Sequence, residues 1–327
     1  MSQIFNALQR SEVERSGDQP GAQLEAEEVL RNAERLAASG WEDTLRKAKS
    51  SSKGTGLGAS ADISALPDMQ LRLDPANASD PIALEERLSL LSQFKPLDIA
   101  LTSDNCLVSF SEQDGPVAEA FRLLGVRLRD LRRTRPLKKM LVTSTIPQEG
   151  KSIISANLAC ALAGSTQQKV LLVEGDVRRP ALTEMLGIQG NPGLCEWLQG
   201  ESSLMNSIYR LRELEFWIMP AGVSPSNPLE LLQSGKLASL LNQLAEWFDT
   251  IIIDSPPVLP LADTSVWMRH ADGVLLIARQ GKTEKHQLKR GLEAINREKL
   301  IGAVINSSKN LPHSDYYYHY SAKNRRN

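Results

Sequence analysis

Met140-Leu-Val-Thr-Ser-Thr-Ile-Pro-Gln-Glu-Gly-Lys-Ser-Ile-Ile-Ser-Ala-Asn-Leu-Ala159 decides the fold. Met140–Thr143 is a short apolar run of strand type, and an Ala-rich helical pattern begins near Ser152. Gly150-Lys151-Ser152 lies between them, where a glycine lets the backbone approach an anion closely. A helix N-terminus presents free N–H groups to that anion, and Lys151 adds a full charge. The stretch therefore predicts a nucleoside-triphosphate cradle lined by Pro147, Gln148, Glu149, Gly150, Lys151, Ser152 and Ile153. Against the pattern G-x-x-x-x-G-K-[ST], Thr145 stands where the first glycine belongs, so the strand–loop–helix context carries the assignment.

Outward from this loop, apolar runs alternate with helical patterns: Leu107–Phe110, Val170–Val173, Phe216–Met219, Ile251–Ile253, Val274–Ala278 and Gly302–Ile305. The runs at Val170, Ile251 and Val274 are continuously apolar, as strands buried on both faces should be. Helices between them predict right-handed crossovers and an α/β fold with a doubly wound, mostly parallel sheet. The expected division is a helical, partly flexible N-terminal extension (1–104), a P-loop domain (105–312) and a mobile C-terminal tail (313–327). Within the extension, residues 1–15 and 24–48 read as helices and 50–61 as a Gly/Ser-rich linker, while 62–103 gives no clear pattern.

Two strands run into acids. Val170–Val173 leads to Glu174-Gly-Asp176, and Ile251–Ile253 leads to Asp254. Ligands of doubly wound sheets bind at the carboxyl ends of strands, so these acids should meet the P-loop in one crevice. Phosphoryl transfer needs such groups, to hold Mg2+ and to receive a proton from the attacking hydroxyl. Lys151, Glu174, Asp176 and Asp254 are the expected catalytic set, with Ser152, Asp176 and Asp254 toward the metal. ATP and Mg2+ are the expected cofactors.

Bulk composition narrows the class. The 327 residues carry 38 Lys and Arg against 39 Asp and Glu, a formal net charge of −1, which does not suit a polyanion binder. Three cysteines without close spacing predict a reducing, cytoplasmic setting rather than a disulfide framework. No apolar run approaches the ~20 residues that a membrane-spanning helix needs, so any recruitment to the inner membrane face should come through a partner. The four histidines show no metal-ligand spacing with cysteines.

Four separated blocks then match a family. Pro147–Ser152, Val170–Pro180, Ser226–Leu232 and Phe248–Pro257 resemble, in order, the bacterial tyrosine kinases (BY-kinases) of exopolysaccharide loci, in the CpsD/CapB branch. The resemblance covers roughly residues 105–320 and implies the P-loop ATPase fold shared with Min and Par-type ATPases. It also implies ATP-dependent autophosphorylation of a C-terminal tyrosine cluster and a homo-oligomer, often a ring. Control would lie with a membrane chain-length-determinant protein of the polysaccharide co-polymerase type. By position, Lys151 and Ser152 match the Walker A residues and Asp254 the Walker B acid. Asp176 matches the second Walker A′ acid, a water-mediated metal contact, and Glu174 the first, which in the family faces the incoming tyrosine. Asn306 stands where related ATPases place a residue near the adenine; an ordinary strand-end turn is an equal reading.

The chain also departs from the family. Glu174 replaces the usual Asp, and Gln148 a common glycine. Of the oligomerisation motif E-x-x-R-x-x-R, Glu119 and Arg122 are present but Gly125 takes the third position. Four of the five tyrosines, Tyr316, Tyr317, Tyr318 and Tyr320, crowd the last twelve residues among polar neighbours and are the expected phosphoacceptors. About twelve residues separate Asn306 from Tyr318, a reach of ~40 Å at full extension, which serves either the chain's own site or a neighbour's. Val126–Lys139 holds seven bases and one acid and reads as a basic helix, either a solvated face or an interface. No aromatic interleaving or nucleic-acid motif accompanies it, so no nucleic-acid partner is expected. A Min/Par-like ATPase switch and a nucleotide-binding regulator without kinase activity are the rival readings. Ile146 occupies the place where the switch group carries an additional lysine.

Overall fold

The computed structural model describes residues 81–99, 107, 115–166 and 168–307. The expected helices at 1–15 and 24–48, the linker, most of the expected strand Leu107–Phe110 and the tyrosine tail lie outside them; Leu107 itself is described, outside any element. In chain order the described elements are α1 (Pro81–Ser92), β1 (Lys95–Leu97), α2 (Pro116–Arg132), β2 (Lys139–Ser144), α3 (Lys151–Thr166) and β3 (Val170–Glu174). Next come α4 (Ala181–Met185), α5 (Leu194–Gln199), α6 (Leu204–Ser207), β4 (Tyr209–Leu211), β5 (Phe216–Met219) and α7 (Pro228–Leu232). The remainder are α8 (Lys236–Trp247), β6 (Thr250–Asp254), α9 (Asp263–His270), β7 (Gly273–Arg279), α10 (Lys285–Ala294) and β8 (Leu300–Asn306).

The strands form one sheet in the order β1-β4-β5-β3-β6-β2-β7-β8. Every pairing is parallel except β4 with β5. From β2 the chain winds to one side through β3 and β5, returns through β6, and then crosses to β7 and β8 on the other. That reversal around β2 creates the crevice in which doubly wound folds hold their ligands. Alternate residues of each central strand enter opposite layers of the core. Leu171, Val173, Ile251 and Ile253 pack on one side, and Val170, Leu172 and Ile252 on the other. Burial on both faces is the reason these runs carry no polar alternation.

Two expectations are corrected by the fold. The basic stretch is not one helix, because α2 ends at Arg132 and Pro136 disfavours helix at the residue before it. Its later bases fasten chain ends beneath the sheet. Arg135 donates to the carbonyls of Asp272 at 2.6 Å and Glu298 at 3.1 Å, and Lys138 Nζ to that of Ala245 at 2.6 Å. Second, residues 81–97 belong to the main sheet and core, although the expected boundary lay at 105. Leu91 and Phe94 are buried, and the Phe94 ring centroid lies 6.1 Å from that of Trp247 and 6.3 Å from that of Phe248. Arg87 donates to the Trp247 carbonyl and to Asp249 Oδ1, each at 2.6 Å. A twelve-residue helix ending in a three-residue strand gives too short a periodic signal to stand out in sequence.

Candidate active site

Parallel pairing brings the acids together. The Cα of Glu174 at the end of β3 lies opposite that of Asp254 at the end of β6, and Asp254 in turn opposite Val142 of β2. The P-loop leaves β2 two residues later, so all three segments open at one edge of the sheet. Gly175 is the pivot between the acids. Its N–H donates to the Asp254 carbonyl at 2.8 Å, and its carbonyl accepts from Trp267 Nε1 at 3.1 Å. A Cβ at Gly175 would lie 2.9 Å from the Trp267 ring, so no larger residue fits without displacing that ring.

Lys151 opens α3, and its Nζ lies 3.0 Å from Asp176 Oδ2 with both side chains nearly buried. Burial alone would lower the lysine's pKa; Asp254, Asp176 and Glu174 outweigh it and raise it above the ordinary value. The ammonium is therefore fully charged at neutral pH. Asp254 is fully buried; its carboxylate oxygens lack a donor at full hydrogen-bond geometry among the described residues, with the Ser152 hydroxyl and the Lys151 ammonium beside them. Burial pushes its carboxyl up to about 6, against the pull of Lys151. A buried carboxylate without donors is costly unless a cation sits beside it. Asp254, the mostly buried Ser152 and Asp176 supply oxygen donors only, the set that suits Mg2+. No group of three or more His, Cys, Asp or Glu side chains able to hold a metal occurs among the described residues.

Glu174 is placed otherwise than the resemblance implies. Its carboxylate is fully buried and accepts from Leu182 N at 2.6 Å, Thr183 N at 3.0 Å, Ala221 N at 3.0 Å and Thr183 Oγ1. It thus ties the end of β3 to the first turn of α4 and to the exit of β5. The additional methylene relative to aspartate gives it that reach. Desolvation raises its pKa, opposed by those four donors. Its carboxylate oxygens are thus occupied by the protein's own donors.

The P-loop lies between β2 and α3, and two side chains at it are oriented otherwise than expected. The Glu149 carboxylate is buried and turned into the protein, bonded by Thr145 Oγ1, Ile146 N and Thr283 Oγ1. Asn306 reaches the loop but donates its amide to the Glu149 carbonyl at 2.9 Å, while its Oδ1 accepts from Ser307 N at 2.8 Å. A Cβ at Gly150 would lie 2.1 Å from Asn306 Nδ2, so Gly150 is needed for this approach as well as for its positive φ of 90°. The remaining P-loop amides, from Lys151 to Ile153, form the first turn of α3 and have no acceptor within the helix. Residues the sequence did not single out are Trp267, Asp263 and the segment Arg279–Thr283. Asp263 is buried and holds Arg178 of the Glu174–Asp176 loop at 2.6 Å. The glycine between two acids was the available signal for a tight turn; nothing local to Trp267 or Asp263 announces their contacts.

Comparisons with known proteins find relatives of the whole domain. A family model described as "AAA domain" matches residues 148–307. The tyrosine-protein kinase YwqD of Bacillus subtilis is 32% identical over 215 residues, which cover 65% of this chain and 90% of that protein. The solved chimerical protein CapA2B2 superposes with a TM-score of 0.60 at 28% identity, covering 69% of this chain and 99% of that one. The kinase domain of the Escherichia coli tyrosine kinase ETK gives 0.58 at 28% identity, covering 61% and 79%.

Proposed function

The chain belongs to the bacterial tyrosine-protein kinases, and from that premise we propose that it transfers the γ-phosphoryl of Mg-ATP to Tyr316, Tyr317, Tyr318 and Tyr320. The carrying observation is the meeting of Lys151, Asp176 and Asp254 at the edge of the sheet where β2, β3 and β6 end, with both Asp254 oxygens buried. A buried ammonium, a carboxylate suited to a metal and a second acid at one edge of the sheet are what positioning and charge stabilisation of a phosphoryl group require.

In this reading the N–H groups at the start of α3 and Lys151 hold the phosphates. Ser152, Asp254 and Asp176 would hold Mg2+, which would neutralise the charge that develops on the phosphate oxygens. The tyrosine Oη attacks the γ-phosphorus as the bond to the β,γ-bridging oxygen breaks, and ADP leaves. Because Glu174 is occupied elsewhere, we assign the orienting of the phenol and the uptake of its proton to Asp176. Asn306 steadies the loop rather than reading the base. The kinase would act at the inner face of the membrane through a co-polymerase-type activator and as a homo-oligomer. No helix among the described residues is long and apolar enough to cross a membrane.

The test is direct. Purified full-length protein is incubated with labelled ATP and Mg2+, and phosphate is mapped in the wild type, in Lys151→Met and in a variant with Tyr316, Tyr317, Tyr318 and Tyr320 changed to Phe. Tail label that disappears in both variants supports the reading. ATP hydrolysis with an unlabelled tail overturns it in favour of a switch ATPase, and binding without turnover in favour of a regulator.

A further inference from the structure

We propose that Arg279–Thr283, the segment that leaves β7, is a second wall of the nucleotide site: it fixes the shape of the P-loop and its cations raise affinity for a nucleoside triphosphate. The proposal rests on the nucleotide reading of the P-loop and is independent of the phosphoacceptor.

An acid one residue before Gly150-Lys151 is at odds with anion binding, since a carboxylate facing the cradle would repel phosphate. The structure removes the conflict by burying Glu149 and saturating it. Thr145 Oγ1 lies 2.7 and 2.8 Å from its two oxygens, and Ile146 N donates at 3.0 Å. The remaining bond comes from outside the loop, from Thr283 Oγ1, whose oxygen in turn accepts from Arg279 N at 2.7 Å. Thr145, standing where the sequence pattern has glycine, contributes the hydroxyl that begins this chain of bonds. Its methyl group packs on α10, where a Cβ at Gly291 would lie 2.4 Å from Thr145 Cγ2.

The preceding residue is gripped as well. Gln148 has φ of 65°, a left-handed conformation that a residue with a side chain adopts at a cost. Its carbonyl accepts from Arg279 Nη1 at 3.3 Å and its side-chain oxygen from Lys282 Nζ at 2.8 Å. Three side chains from five consecutive residues thus hold two consecutive residues of the P-loop. Among the described residues neither Arg279 nor Lys282 has a carboxylate within ion-pair distance. Arg279 and Lys282 thus place two positive charges against a loop whose amides address an anion. A polyanionic ligand gains from both even without touching them, and salt should weaken that gain.

The test measures the affinity of the full-length protein for a fluorescent ATP analogue with Mg2+, by titration at low and high salt. Thr283→Val keeps the shape and removes the hydroxyl; it should weaken binding about tenfold, the scale of a lost hydrogen bond to a buried charge. Thr283→Ser should restore binding to within about twofold, which a merely space-filling role would not explain. Lys282→Met, a half-buried substitution that spares the fold, should weaken binding about threefold at low salt and little at high salt. A folded Thr283→Val protein with wild-type affinity overturns the proposal, as does Lys282→Met with wild-type affinity at low salt. If Thr283→Val does not fold, the Lys282→Met comparison decides alone. Absence of tyrosine label in a wild type that binds the analogue would overturn the kinase reading and leave this wall standing.

Discussion

Lys151 Nζ lies 3.0 Å from Asp176 Oδ2, so the P-loop's own ammonium is held by a carboxylate of the neighbouring loop. On the proposed mechanism, a phosphate arriving in the cradle would exchange one anionic partner of Lys151 for another and release Asp176. Replacing the lysine therefore removes phosphate stabilisation and also strands two buried acids. For Lys151→Met we expect tyrosine transfer to fall at least about a hundredfold and the thermal midpoint at pH 8 to drop. Quantified phosphotyrosine and a thermal scan check the two effects separately.

Asp254 should make the metal-free protein more stable in acid. Its folded pKa of about 6 stands above the ordinary 3.8, so between those values the native state binds more protons than the unfolded chain. The stability it contributes is present in full below about pH 4 and is lost as pH rises through 6, by up to about 3 kcal/mol for a shift of this size. Asp254→Asn should abolish this dependence and raise the midpoint at pH 8 without Mg2+, while Mg-nucleotide binding fails. Midpoints recorded from pH 4.5 to 8 give the answer; an Asn variant less stable than wild type at pH 8 would count against it.

Glu174 invites a test in which two roles give opposite signs. If it were the proton acceptor, Glu174→Asp would restore the family's usual acid and preserve transfer with stability unchanged. As the anchor of Leu182, Thr183 and Ala221, it should not tolerate withdrawal by one methylene. We expect Glu174→Asp to cost about 2 kcal/mol in urea unfolding, since buried N–H groups lose their acceptor, and transfer to fall through disorder of the loop.

Gly125 answers the incomplete E-x-x-R-x-x-R pattern. It is buried where α2 packs on α3, and a Cβ there would already stand 3.3 Å from Leu162 Cδ2. An arginine at this place faces the core, not a neighbouring subunit. Gly125→Arg should therefore unfold rather than repair assembly, with a loss of about 3 kcal/mol or more from a buried charge and overpacking. Circular dichroism melts beside light scattering would distinguish the two results.

Much of this was legible because the deciding signals are local. Glycine, lysine and serine at fixed spacing between a strand and a helix announce the cradle, and strands buried on both faces are written as unbroken apolar runs. Asp176 and Asp254 follow from the rule that ligands sit at the carboxyl ends of strands. What the sequence hid depends on pairing across long separations. The bond from Ala221 to Glu174, forty-seven residues away, depends on side-chain reach across the sheet. Glu149 and Thr283, 134 residues apart, meet only because β7 lies beside β2. The basic run misled for a related reason: charge density suggested a surface, whereas Arg135 and Lys138 serve backbone carbonyls that only the folded chain brings near.

The outermost strand bears on how the protein can be divided. β1 is three residues long, yet it shields β4, itself only three residues long, and the segment before it seals an aromatic pocket with Phe94. A recombinant fragment begun at residue 105, however sensible on sequence grounds, would leave a bare row of amides and carbonyls and a hole beside Trp247. Unprotected edges of that kind recruit other chains, so such a fragment should self-associate in solution. One begun ahead of Pro81 should stay dispersed.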